Sequence, residues 1–421
     1  MKRTFFMLIM LLLSGAVSAQ VEAMRFDFTT RGKAPEGFVR IAATTAYSQE
    51  LGYGYDLLPA ADRTDFRFSV AVPDGNYRVT VTLGSDKEAT HTVVRGESSR
   101  LLVADCVTAR GEKRTHAFTL NKRNPHISGR ESVSLKSTVA RKRNWDERLT
   151  LEFTGEKPSL LQLIIEPVQV TTLFLFGDST VCDYDDEPYA SWGQMITAFF
   201  DAGIAVANYA ETGETASSCM GSKRLAKGLS QLKQGDYVFI ELGHNDQKKQ
   251  GAGKGAYYSF STEIKTMIDY ITTRGGKPVL VTPLQRRRWK DGEVVHTHGD
   301  YPEAVRTLAA REQLPLIDLN VASTKLLEAL GEEGSKALHV FMDAGTLPNQ
   351  KQPLHDNSHF SPYGAYEVAR CVVEAIRSVV PELAHHLHPN LPTFNPEQPD
   401  PQHALVWPFR VGSTYEKPAG S

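Results

Sequence analysis

The chain has 421 residues, and 47 Lys and Arg against 49 Asp and Glu leave a formal net charge of −2. So even a balance offers no electrostatic case for binding nucleic acid or an anionic membrane surface, and the length allows two domains. Four cysteines, Cys106, Cys182, Cys219 and Cys371, are too few and too scattered for a disulfide scaffold or a zinc motif, and read as buried residues or an incidental bridge.

Residues 1–19 have the layout of an export signal: Lys2 and Arg3, an apolar run from Phe5 to Leu13, and Val17-Ser18-Ala19 before Gln20. That run is too short to span a bilayer, which takes about 20 apolar residues, and no other stretch approaches this length. The expected mature protein is exported, to the periplasm, the cell surface or the medium.

Residues 20–168 read as β structure. DFRFSVAVPDGNYRVTVTLG (65–84) alternates apolar and polar residues on both sides of a Pro-Asp-Gly-Asn turn. HAFTL, LTLEF and LLQLIIEP repeat the short-strand pattern without an intervening amphipathic helix, which predicts an antiparallel sandwich. The basic stretch ARKRNW (140–145) reads as a solvated loop.

Between 170 and 385 the period changes. TTLFLFG, AVANYA, DYVFIELG, KPVLVTPL and LPLIDL alternate with helix-like runs such as STEIKTMIDYITTRGG and SPYGAYEVARCVVEAIRSVV. Apolar strands alternating with helices predict a parallel sheet covered on both faces, with ligands beyond the carboxyl ends of the strands. Residues 386–421 form a proline-rich, irregular tail.

The first of these strands stops at FLFGDST (174–180), where Ser179 is placed as a nucleophile would be. A serine hydroxyl needs a base to take its proton, and the base needs a carboxylate to orient it. HDNSHFSPYGA (355–365) supplies both, with Asp356 and His359 three residues apart in what reads as a tight loop. Charge developing on a substrate carbonyl needs donors. The Ser179 N–H, the Gly213 N–H in NYAETGETASS and the Asn245 amide in GHND (243–246) are candidates, each at the end of a predicted strand. Asp178 and Asp246 read as residues that shape their loops.

FLFGDST, NYAETGETASS, GDYVFIELGHND and DNSHFSPYGA, in that order, resemble the four signature blocks of the SGNH (GDSL-type) hydrolases, and most closely the rhamnogalacturonan acetylesterase branch, which has Gly-Asp-Ser-Thr. The resemblance spans about 170–380. It implies Ser179 as nucleophile, Asp356 and His359 as its partners, and Gly213 and Asn245 in the oxyanion hole. It also implies a three-layer α/β/α fold with a flavodoxin-like parallel sheet, no metal or organic cofactor, and acetylated pectic rhamnogalacturonan as substrate, with xylan as the nearest rival. The preceding β half resembles a galactose-binding-like sandwich. A carbohydrate-binding protein with a decayed hydrolase domain is the contrasting reading, and the intact set of five residues speaks against it.

Three further features carry weaker expectations. His244 reads first as a structural histidine and second as a substrate contact. QRRRWKDGEVVHTHGDY (285–301) follows a strand onto the same rim, so Arg286, Arg287, Arg288 and Trp289 are candidate contacts for an acidic polysaccharide. Neither His355, Asp356 and His359 nor the HTH run at 296–298 finds a third ligand at metal-binding spacing.

Overall fold

Apolar residues at every second position need a sheet with one dry face, and the N-terminal region supplies two such sheets. The computed structural model describes residues 22–60, 65–138, 142–185, 187–410 and 415, so the expected export signal at 1–19 lies outside the described residues. Along Gly75–Gly84, Tyr77, Val79, Val81 and Leu83 are buried while Arg78 is exposed. This strand pairs antiparallel with Lys113–Lys122 and Gln162–Pro167, and Met24–Asp27 continues the sheet beyond the latter. A second antiparallel sheet contains Tyr53–Leu57, Asp65–Ala71, Arg148–Thr154, Thr90–Gly96 and Arg100–Thr108. Phe26, Val79, Val81 and Leu163 from the first sheet share one core with Phe68, Val70, Leu149, Leu151 and Phe153 from the second. The Pro-Asp-Gly-Asn turn joins strands of opposite sheets, so it carries the chain across this core.

The C-terminal half is a parallel sheet in the order Ile204–Asn208, Thr171–Gly177, Tyr237–Glu241, Lys277–Val281, Leu316–Ile317. Numbered along the chain, that order is 2-1-3-4-5, the flavodoxin-like arrangement. Both faces are apolar because both are covered. Leu173, Leu175, Phe239, Val279 and Val281 pack with Trp192, Met195 and the Pro362–Val379 helix. Phe174, Phe176, Val238, Ile240 and Leu280 pack with the Ser261–Thr273 and Tyr301–Glu312 helices on the other side. Among the described residues no helix is long and apolar enough to cross a membrane. The four cysteines are free and buried.

Two sequence expectations need correction or extension. Of the stretch 140–145, residues 140 and 141 lie outside the described residues, and Arg143–Trp145 is a short 3-10 turn with Asn144 and Trp145 buried, not a solvated loop. Trp145 is covered because the Arg123 and Arg224 guanidinium groups lie 4.5 and 5.1 Å from its ring centre. The tail is largely irregular but docked: Arg410 donates to Glu152 at 2.7 Å, and Trp407 lies 3.8 Å from the Arg95 guanidinium.

The two halves are continuous. Ile204–Asn208 adjoins Lys113–Lys122 through a parallel Val206–Leu120 pairing, so one ten-stranded sheet runs through both. Across this junction the Arg100 Nε donates to Asp183 Oδ2 at 2.9 Å, and both side chains are shut off from solvent. Removing one partner of a fully buried pair leaves the other charge unpaired, which costs about 3–5 kcal/mol. Arg100→Ala is therefore expected to lower the urea-unfolding free energy by that order; a value within error of wild type would show the pair to be dispensable.

Candidate active site

Thr171–Gly177 is flanked by paired strands on both sides, and the chain leaves it through a turn held by its own side chains. Asp178 Oδ1 accepts from the Thr180 N–H at 3.0 Å and the Thr180 hydroxyl at 2.9 Å. The Asp178 carbonyl accepts from the N–H groups of Val181 and Cys182. Ser179 is lifted clear of the sheet by this turn, and its carbonyl is held by the Tyr184 hydroxyl at 2.8 Å.

Asp356 and His359 approach from the other side of the site. They lie in the Leu354–Phe360 strand, not in a tight loop, and its pairing with His339–Met342 is interrupted by a bulge. The register passes from Val340–Asp356 to His339–Phe360, so residues 357–359 bulge outward. The bulge lets Asp356 Oδ1 accept from the Ser358 and His359 N–H groups at 2.8 and 3.0 Å, while Oδ2 lies 2.8 Å from His359 Nδ1. His359 Nε2 is 3.1 Å from Ser179 Oγ. A carboxylate can only accept, so Nδ1–H donates to Asp356 and Nε2 is left to accept from the serine hydroxyl. Burial pushes the Asp356 carboxyl up, but the His359 ring and the two N–H groups outweigh it and hold it below the usual carboxylate value. A serine poised on an imidazole that is oriented by an ionised carboxylate is equipped for acyl transfer.

Gly213 and Asn245 stand together. Gly213 lies in the Glu211–Glu214 turn, closed by the Glu214 N–H donating to the Glu211 carbonyl at 3.1 Å, with a φ of +69° that favours glycine. The turn is tied to the nucleophile strand by the Glu211 N–H donating to the Gly177 carbonyl at 3.2 Å. Asn245 Nδ2 donates to the Glu214 carbonyl at 3.1 Å and keeps a second hydrogen to offer. Among the described residues the Ser179 and Gly213 N–H groups have no acceptor within the chain. Asp246 shapes its surroundings as expected, accepting from the Ala216 and Gly243 N–H groups at 3.0 and 3.1 Å.

The remaining candidates separate. His244 is buried and its Nδ1 lies 3.1 Å from His298 Nε2. Burial, then the charges of neighbouring groups, keeps both rings neutral, with His298 pushed down to about 3. Arg286 borders the site, donating to the His244 carbonyl at 2.9 Å and to the Thr297 hydroxyl at 3.2 Å. Arg287 is turned inward: it is buried and donates to Ser335 Oγ, to the Glu332 carbonyl and to Asn357 Oδ1 beside Asp356. Arg288 is exposed, and Trp289 is half-buried in a two-strand ribbon with Glu293–Val294. Among the described residues no three His, Cys, Asp or Glu side chains converge as a metal site.

One group escaped the sequence reading. Glu241 ends the Tyr237–Glu241 strand behind the nucleophile turn, where Oε1 meets the Thr180 hydroxyl at 3.1 Å and Oε2 accepts from the Trp192 indole N–H at 2.6 Å. Burial and then Asp178 push its carboxyl up to about 8. A protonated Glu241 can donate to the Thr180 oxygen while the Thr180 hydroxyl donates to Asp178, a chain that satisfies all three groups. The signal was present, since a lone acid within the apolar run VFIEL is an unusual occupant of a buried strand.

A family model for the GDSL-like lipase/acylhydrolase family matches residues 175–367. Rhamnogalacturonan acetylesterase RhgT of Bacillus subtilis (strain 168) is 40% identical over 225 residues, 53% of this chain and 95% of that protein. The uncharacterized esterase YxiM of the same organism is 26% identical over 407 residues, 90% of this chain and 97% of its own. A probable rhamnogalacturonan acetylesterase, YesY, also from that organism, is 30% identical over 210 residues, 49% of this chain and 93% of that protein.

The buried acid has a measurable consequence. A carboxyl at about 8 in the folded chain and 4.5 in the unfolded one stays protonated in the native state after the unfolded state has lost its proton. This group therefore lowers stability as pH rises from about 4.5 to about 8 and adds no further slope above. Urea unfolding across that window is expected to decline less steeply for Glu241→Gln than for wild type. Equal slopes would mean that Glu241 is ionised in the folded protein.

Proposed function

The chain belongs to the GDSL-like lipase/acylhydrolase family and is an ester hydrolase, and on that premise we propose that it is a serine carbohydrate esterase removing acetyl groups from pectic rhamnogalacturonan. The observation that carries the chemistry is the unbroken relay from Ser179 through His359 to Asp356. The substrate rests on the relatives named rhamnogalacturonan acetylesterase, one of them 40% identical across nearly its full length.

In this reading Ser179 Oγ attacks the acetyl carbonyl while its proton passes to His359 Nε2. Asp356 stabilises the imidazolium that forms. The oxyanion is held by the Ser179 and Gly213 N–H groups and the Asn245 amide. Collapse returns the proton from His359 to the departing sugar oxygen and leaves an acetyl-serine. Water deprotonated by His359 then attacks the acyl carbon, and acetate leaves as Ser179 regains its proton. Arg286 and the exposed Arg288 give the rim positive charge to meet uronate carboxylates. Export directed by residues 1–19 places the enzyme with its polymeric substrate.

Acetate release from acetylated rhamnogalacturonan and acetylated xylan, by wild type, Ser179→Ala and Asn245→Ala in parallel, tests both parts. Release from the pectic polymer is expected, lost by about 10⁶-fold in kcat without the serine and by about 10²–10³-fold without the Asn245 amide. Release from xylan alone would discard the substrate and keep the mechanism. Wild-type rates in Ser179→Ala would discard the mechanism.

A further inference from the structure

The turn that carries Gly213 is gripped from outside the parallel half. Lys136 belongs to the N-terminal region, in a segment anchored by the Val133 N–H donating to the Pro125 carbonyl at 2.8 Å and the Ser134 N–H donating to the Ser222 carbonyl at 2.9 Å. Its exposed side chain brings the ammonium onto the Thr212 carbonyl. Among the described residues no other donor reaches that oxygen. The Thr212 carbonyl and the Gly213 N–H are two ends of one peptide group. In a trans peptide they point in opposite directions, so a cation fixed on the carbonyl sets where the N–H aims.

The turn by itself does not make that choice. Glu211–Glu214 has its closing hydrogen bond and a glycine at the third position with φ of +69°, which is the signature of a type II turn. A type I turn spans four residues in the same way and differs mainly by rotation of the middle peptide, here Thr212–Gly213. Glycine accepts the negative φ of that alternative as readily as the positive one. In the rotated form the N–H would turn away from the substrate, and the carbonyl would face the developing oxyanion instead.

Other contacts hold the flanks of the turn but not this peptide's carbonyl. Glu211 Oε1 accepts from the Thr212 N–H and hydroxyl, each at 2.7 Å. Glu211 Oε2 pairs with Arg224 at 2.5 Å, and Arg224 also reaches Glu214 Oε2 at 3.3 Å. The two carboxylates beside Thr212 add to the attraction for the Lys136 ammonium.

We propose that Lys136 is a positioning residue for the oxyanion hole, latching the Thr212–Gly213 peptide so that the Gly213 N–H faces the reacting carbonyl. The inference rests on Gly213 acting as an oxyanion donor, as in the function proposed above. A cation on the carbonyl also polarises the peptide and makes its N–H the better donor. The N-terminal region thereby completes a site whose nucleophile and base it does not supply.

The test compares Lys136→Met and Lys136→Arg with wild type in the full chain, on a small aryl acetate and on the acetylated pectic polymer, with Ser179→Ala alongside. Lys136→Met is expected to lower kcat about tenfold on both substrates, less than outright loss of a donor, with KM and the thermal unfolding midpoint little changed. Lys136→Arg is expected to recover most of that loss. Undiminished kcat in the Met variant, with Ser179→Ala inactive, overturns the latch and leaves the esterase reading standing. A loss confined to KM on the polymer also overturns it, making Lys136 a glycan contact. So does a kcat loss that follows a lowered unfolding midpoint and is not recovered by arginine. Activity surviving in Ser179→Ala would instead remove the parent reading.

Discussion

A carboxylate sealed from water must be met by donors, and Asp183 is met by three separate parts of the chain. Arg100 comes from the N-terminal sheet at 2.9 Å, Asn144 from the short turn before the Arg148–Thr154 strand at 3.1 Å, and Asn208 from the end of a parallel strand at 2.8 Å. Asn208 also donates to the Val181 carbonyl at 2.6 Å. Asp183 closes the segment that begins with Ser179, and Asn208 opens the one that leads to Gly213. One buried charge thus fixes the Ser179 turn, the Gly213 turn and the N-terminal sheet with respect to one another.

The surrounding apolar layers confine such charges to the strand ends. Strands buried on both faces leave no polar surface except at their ends, so the polar groups of the parallel half concentrate beyond Gly177, Asn208 and Glu241. Their backbones are tied to each other there, and close packing prevents drift: a Cβ added at Gly193 would lie 2.1 Å from the Val181 carbonyl oxygen. The same logic governs the outer face of the N-terminal sheet. Glu152 is buried on it because Arg95 and the tail's Arg410 reach it at 3.2 and 2.7 Å. The polar side of an alternating strand is here an internal surface.

Much of this could be read along the chain. The parallel half declares itself through strands with apolar residues on both faces, and TTLFLFG coincides with the observed Thr171–Gly177 strand. Ser179, Asp356 and His359 are legible because the structure around each is local: an Asp-Ser-Thr turn, and a carboxylate three residues before the ring it orients. The errors share a cause. ARKRNW looks solvated because its charges are visible and its partners are not; Arg123 and Arg224, which enclose Trp145, lie far off in sequence. The inward orientation of Arg287 is hidden for the same reason, since Ser335, Glu332 and Asn357 come from other elements.

Residue order alone indicated the two periods, the parallel class of the second half and the Ser179, His359 and Asp356 side chains that the structure brings into contact, because each depends on spacing within a few residues. Tertiary structure decided that one sheet runs through both halves, that Glu241 lies buried behind the Ser179 turn, and that Lys136 meets Thr212. Those features depend on which distant side chains share a dry interior, where an unpaired charge or carbonyl is costly. Distance along the chain carries no record of that pairing.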